Sequence, residues 1–201
     1  MAKAWDLSVS ASDYFNSFGI DAGDYNFLLY LLTPVSKSAT DRKPQDVIHN
    51  YMDEHFKKDY LSKVDENIDK YGFHITYVLG DEKGPSFCYS TGLYKNYKIP
   101  EIFMSGLPQN LSFDLVGDYA KKFKEKDVPL SRKIDSPTDY FKFPILFIEF
   151  ENEDLKEYVY SSSRFYGEKE YRYLQLIYPD TNGLFPNDSG YNYNQEILGK
   201  I

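Results

Sequence analysis

The chain has 201 residues, of which 31 are acidic and 23 basic, for a formal net charge of -8; that length supports one substantial core and falls short of two full domains. The acidic balance repels phosphate backbones and argues against nucleic-acid binding. A single cysteine, Cys88, excludes an intramolecular disulfide and a thiolate metal cage, and points to a reducing, cytoplasmic setting.

Aromatic residues reach 18% of the chain, with 20 Tyr and 15 Phe. Much of the core must therefore be aromatic, with many tyrosines at its boundary and their hydroxyls turned toward water. The start, Met-Ala-Lys-Ala-Trp, carries no apolar leader core, and the apolar run from Phe27 to Leu32 is far too short to cross a bilayer. A soluble protein without membrane attachment is expected.

Residues 1–44 are read as an N-terminal extension. Its cluster Phe27-Leu28-Leu29-Tyr30-Leu31-Leu32 predicts a short docking helix that ends at Thr33-Pro34 and offers a route to homo-oligomerisation. The main boundary falls at Pro44, and residues 45–201 form the domain proper. From Gln45 to Tyr71, Ile48, Met52, Leu61, Val64, Ile68 and Tyr71 recur at helical spacing, and Gly72 supplies the stop. Phe73 to Leu79 and Ser86 to Leu93 read as strands separated by a turn at Asp81–Pro85, and Glu101 to Ser105 as a third strand.

Leu111, Leu115, Tyr119 and Phe123 define a second amphipathic helix with Asn110 as its N-cap. Its basic end, Lys121 to Lys126, complements the helix dipole and is better explained that way than as a phosphate-binding patch. Pro144-Ile-Leu-Phe-Ile148 is apolar on both faces, as a central strand should be, and a weaker helix follows from Glu153 to about Phe165. Tyr171 to Tyr178 is the last strand, and the tail beyond Pro179 is mostly loop. The sum is a single-domain α+β fold. A central sheet of about five strands, mostly antiparallel or mixed, packs with two or three amphipathic helices, and a helical extension precedes it.

Three stretches carry a family likeness: Pro85-Ser-Phe-Cys-Tyr-Ser-Thr-Gly-Leu93, Pro100-Glu-Ile-Phe-Met-Ser-Gly-Leu-Pro108, and Leu174-Gln-Leu-Ile-Tyr-Pro-Asp-Thr-Asn-Gly-Leu-Phe-Pro186. Together they resemble the domain of unknown function 4262 family of small bacterial proteins over about residues 70–192. The sequence departs from that family's usual pattern at Cys88, Ile99 and Tyr178, where Ala, His and Trp are common. The resemblance implies a shared fold and a shared pocket, and brings no reaction with it.

The residues themselves suggest little chemistry. His49 and His55 stand six apart on the first helix, off the four-residue spacing that a metal favours. His74, on a strand, is a candidate general base, although a single structural hydrogen bond explains it as well. Cys88 reads as a buried core thiol. The segment Asp180-Thr-Asn-Gly183 lacks the glycine and glutamate positions of a calcium loop and is better read as a turn. No nucleotide-binding glycine fingerprint occurs, and no cofactor is implied.

What remains is a polar set within the family-like stretches: Tyr89, Thr91, Glu101, Gln175 and Asp180, with His74 beside them. Tyr89 and Thr91 share a strand face, which predicts one side of a pocket, with Gln175 contributing from the other end of the sheet. Glu149 is a further carboxyl that can be imagined paired with Glu101. The expectation is a module that binds an unidentified small molecule or protein without turnover. The competing reading is a hydrolase or transferase acting on a small polar substrate through His74 and a carboxylate.

Overall fold

The computed structural model describes residues 54–82, 84–137, 143–149, 155 and 158–201. The expected N-terminal extension, the first turns of the helix from Gln45, His49, and the side chain of His55 lie outside that set.

Among the described residues the order is α1 (Glu54–Tyr71), β1 (His74–Val78), β2 (Phe87–Thr91), α2 (Leu93–Tyr97), β3 (Glu101–Ser105), α3 (Gln109–Phe123), β4 (Ile134–Asp135), β5 (Pro144–Glu149), α4 (Tyr160–Tyr166) and β6 (Tyr173–Ile177). The strands form one mixed sheet in the order β1-β2-β3-β6-β5-β4. The β3–β6 pair is parallel and the others are antiparallel. This is the α+β fold that the sequence predicts, with one more strand than expected.

Strand alternation divides the sheet into two faces. Ile75, Tyr77, Cys88, Ile102, Met104, Ile145, Phe147, Leu174 and Leu176 share one core with Phe113, Leu115, Val116, Tyr119, Ala120 and Phe123 of α3. The expected four-residue stripe of α3 is thus what docks it. On the opposite face, register places Thr76, Tyr89, Phe103, Gln175 and Ile148 in one row across five strands. This second face is covered by α1, α4 and the C-terminal tail, and its apolar part gathers Phe87, Tyr89, Phe103, Leu155, Val159, Tyr166, Tyr171 and Tyr173.

Four local expectations are corrected. The strand expected to run to Leu93 stops at Thr91, because Gly92, at φ 109, turns the chain into α2. Asn110 lies inside α3, whose N-cap is Pro108, a residue with no amide hydrogen to lose. The apolar strand β5 is covered on both faces but lies one place from the sheet edge, beside the two-residue β4, and β3 and β6 occupy the centre. Several tyrosine hydroxyls are satisfied inside the protein rather than by water: Tyr77 donates to the Leu107 carbonyl, Tyr119 to that of Pro100 and Tyr178 to that of Ser105. The predicted stop of α1 holds, with Gly72 at φ 89 bonded back to the Ile68 carbonyl.

Candidate functional site

On the covered face, hydroxyl groups from five elements meet. Tyr60 of α1 lies 2.9 Å from Thr76 Oγ1 of β1, which is 3.3 Å from Ser161 Oγ of α4. Ser161 Oγ donates to the Tyr89 hydroxyl at 2.9 Å and lies 3.3 Å from Thr91 Oγ1. Thr91 Oγ1 is also 2.6 Å from Ser162 Oγ, which in turn is 2.7 Å from the Tyr173 hydroxyl. Tyr173 and Ser162 both reach the Ser90 carbonyl, at 2.7 and 3.1 Å. Every one of these side chains is buried.

The sequence explains the placement. Thr76 and Tyr89 are cross-strand partners on this face, and Thr91 follows Tyr89 at the two-residue repeat. Ser161 and Ser162 are small enough to let α4 approach the sheet closely while their hydroxyls meet those of the strands. Burial raises the phenols of Tyr60, Tyr89 and Tyr173 above their ordinary range, so all three are neutral. A serine nucleophile needs a base within hydrogen-bond reach. Ser161 and Ser162 are bonded instead to hydroxyls and a carbonyl.

Glu101 is wholly buried and adjoins this network through Ser90. Its Oε2 accepts from Ser90 Oγ at 2.5 Å, and its Oε1 accepts from the amides of Gly92 (2.7 Å) and Tyr94 (3.1 Å) and from the Tyr166 hydroxyl (2.5 Å). Gly92 has no side chain with which to cap α2, and the carboxyl of Glu101 supplies the acceptor from the next strand. Burial raises the Glu101 carboxyl above the usual range, and the four donors pull it back down.

His74, the cross-strand partner of Thr91, is buried, and its Nδ1 lies 3.0 Å from Asn67 Nδ2. An amide nitrogen donates, so Nδ1 accepts and the proton sits on Nε2, a buried atom without a partner. Burial, aided by the charge of Lys63, lowers the imidazole to about 4 and keeps it neutral at pH 7.

The remaining candidates do other work. Gln175 lies in the same row as Tyr89 but clamps the tail: its Nε2 donates to the Glu196 carbonyl at 2.5 Å and its Oε1 accepts from the Leu198 amide at 2.9 Å. Asp180 organises the turn after β6, with Oδ1 accepting from the amides of Asn182 (2.8 Å) and Leu184 (3.0 Å). Glu149 is half-exposed and ion-paired with Arg172 at the surface, whereas Glu101 is enclosed. Cys88 is fully buried on the α3 side, where burial pushes its thiol well up. The structure therefore brings Tyr89, Thr91 and Glu101 into one network with His74 alongside, and leaves Gln175 and Asp180 outside it.

Residues 67–192 match the model of a family described as a domain of unknown function (DUF4262). The chain belongs to the DUF4262 family. The match includes all six strands and both halves of the hydroxyl network on the sheet and α4, and it agrees with the likeness read from the three sequence stretches. Comparison with curated proteins and with solved structures returned no match. Among the described residues, no group of three His, Cys, Asp or Glu side chains in this DUF4262 domain is placed to hold a metal ion, and no helix is long and apolar enough to cross a membrane.

Seven members of the site were missed in sequence: Tyr60, Thr76, Ser90, Ser161, Ser162, Tyr166 and Tyr173. The one available signal was the Ser161-Ser162-Ser163 run inside an otherwise aromatic segment, because serines are poor helix formers and their presence there calls for a packing reason.

Proposed function

We propose that this domain is a binding or interaction module that engages a small molecule or a protein partner without turnover. The observation that carries this reading is the commitment of its polar interior to internal bonds. The hydroxyl network joins no serine to a histidine, and the one serine in it bonded to a carboxyl, Ser90 on Glu101, is wholly buried with its oxygen taken by the Ile102 amide. A cytoplasmic setting fits the single buried thiol, and the acidic charge disfavours nucleic acid as a partner. Self-association through the N-terminal extension belongs to the same proposal.

The test is a screen of the full chain against a metabolite mixture, with both retained and chemically altered compounds identified by mass spectrometry. The module reading predicts retention without conversion. Conversion that is lost in folded His74→Gln or Glu101→Gln protein, and kept in Lys126→Ala, would overturn it.

A second reading is favoured by one observation. His74 is neutral and its Nε2–H is a buried donor without a partner, free to donate to a substrate oxygen, while its basic nitrogen, Nδ1, accepts from Asn67. A hydrolase or transferase working through His74 and a carboxylate would show a pH-rate profile that His74→Gln erases, and an unchanged profile would remove this alternative.

A further inference from the structure

Residues 193–201 lie beyond the family match, yet the residues that hold them, Ser105, Gly106 and Gln175, lie within it. From Asn194 to Leu198 the chain has neither helix nor strand. Ser105 Oγ, buried at the end of β3, donates to the Glu196 carbonyl at 3.0 Å and accepts from the Glu196 amide at 2.9 Å. Gln175, buried in β6, donates from Nε2 to the same carbonyl at 2.5 Å and accepts at Oε1 from the Leu198 amide at 2.9 Å. A carbonyl and the amide two residues on are the pair that one residue of a parallel ladder addresses, so the Gln175 side chain stands in for a strand. Gly106, at φ 75, lets the segment come close, because a side chain there would collide with the Asn194 carbonyl. All three grips act on main-chain atoms, which any peptide carries.

Side chains of the segment are read separately. Glu196 Oε1 accepts from the Tyr158 hydroxyl at 2.6 Å. Ile197 packs on Leu146, Ile148, Ile177 and Phe185, and Leu198 on the aromatic group that includes Phe87 and Phe103. This is the division of labour in strand-addition sites, where main-chain bonds supply affinity and sockets for successive side chains supply selectivity. Withdrawing the segment would strand the Ser105 hydroxyl and the Gln175 amide, a cost that another peptide main chain in the same place removes.

We infer that Ser105, Gly106 and Gln175 form a peptide-binding groove, filled here by residues 194–198 of the same chain. Its partner is a segment of another protein in which an acidic residue is followed by two branched aliphatic residues, the pattern that Glu196, Ile197 and Leu198 present. The resident segment is then a built-in competitor that the partner must displace. This inference rests on the binding reading above and names a ligand class for it.

The experiment titrates the full chain into a fluorescein-labelled peptide, Asn-Tyr-Asn-Gln-Glu-Ile-Leu-Gly-Lys, copied from residues 192–200, and follows its anisotropy. The resident segment competes at an effective concentration on the order of millimolar, so the natural chain should bind weakly. Leu198→Pro deletes the amide that Gln175 accepts from and loosens that segment, so the peptide should bind the variant about tenfold more tightly. A peptide N-methylated at its leucine lacks the same hydrogen and should bind the variant about tenfold more weakly than the parent peptide, a loss that an unspecific apolar surface would not show. Hydrogen exchange on the natural chain is a readout that needs no variant. The Glu196 and Leu198 amides should exchange about a hundredfold faster than those of Leu174 and Leu176, because the segment opens without unfolding the sheet. Folded Leu198→Pro protein that binds no peptide, equal binding of the N-methylated peptide, or Glu196 and Leu198 amides that exchange only together with the sheet would overturn the inference. So would a groove filled by a second copy, seen as a dimer that the peptide leaves intact. Those outcomes leave the module reading standing for a small-molecule ligand, whereas conversion in the metabolite screen would overturn the module reading and leave this titration untouched.

Discussion

Thr91 Oγ1 and Ser162 Oγ lie 2.6 Å apart and join β2 to α4 across the covered face of the sheet. The contact sits at the middle of a run of hydroxyls that extends from Tyr60 to Tyr173. In a dry interior such a run stabilises the fold only while each member keeps its partner.

Ser162→Ala removes a hydroxyl that is bonded to Thr91, to Tyr173 and to the Ser90 carbonyl. The Thr91 and Tyr173 hydroxyls lose a partner while the cavity created is small. The expected cost is about 1–3 kcal/mol. It is read as a lower urea midpoint with an unchanged m-value.

His74 makes stability depend on pH in a defined direction. Its imidazole titrates at about 4 in the folded protein against an ordinary value of 6.5. Between those values the unfolded chain holds a proton that the folded chain does not, so stability falls as pH falls. The contribution is complete above 6.5 and is lost on descending through 4, up to about 3 kcal/mol. His74→Gln should remove this component, seen as the difference between wild-type and variant urea midpoints at pH 7.5, 5.5 and 4.5. Parallel curves would contradict it.

Cys88 is enclosed on the α3 face, and burial raises its thiol, so little thiolate forms at neutral pH. A chromogenic disulfide reagent should leave the native chain unmodified for as long as it stays folded, and should label one thiol promptly in denaturant. Prompt native labelling would show that the face opens.

The sequence made the periodic elements legible. Four-residue spacing located α3, the alternation from Phe73 to Leu79 located β1, and Gly72 marked the end of α1, because each signal is local. It did not show α2. That helix has five residues, only one of them, Leu93, fully buried, and it is capped by Glu101 from the following strand. Nor did it show β4, which is two residues long. The position of β5 was misread because double-sided burial comes here from the tail residues Phe185 and Ile197 on the outer face, a contact that no window around residues 144–149 contains.

The candidate site was legible to a similar depth. Alternation correctly put Tyr89 and Thr91 on one face, but the partners that decide what they do, Ser161 and Ser162, are about 70 residues away. Gln175 lies on the same row, yet its amide is taken by the backbone of Glu196 and Leu198. Composition carries no record of such pairings. For the same reason the tyrosine hydroxyls were expected in water, when the acceptors that hold them are carbonyls on other elements.

The most direct test of whether the buried polar groups serve structure is the urea unfolding free energy of Glu101→Ala. Removing the carboxyl strands the amides of Gly92 and Tyr94 and the hydroxyls of Ser90 and Tyr166, so a loss of about 3–5 kcal/mol is predicted. Groups held in place for catalysis behave oppositely, because their replacement commonly relieves a stability cost. A variant as stable as the natural chain, or more so, would contradict the account.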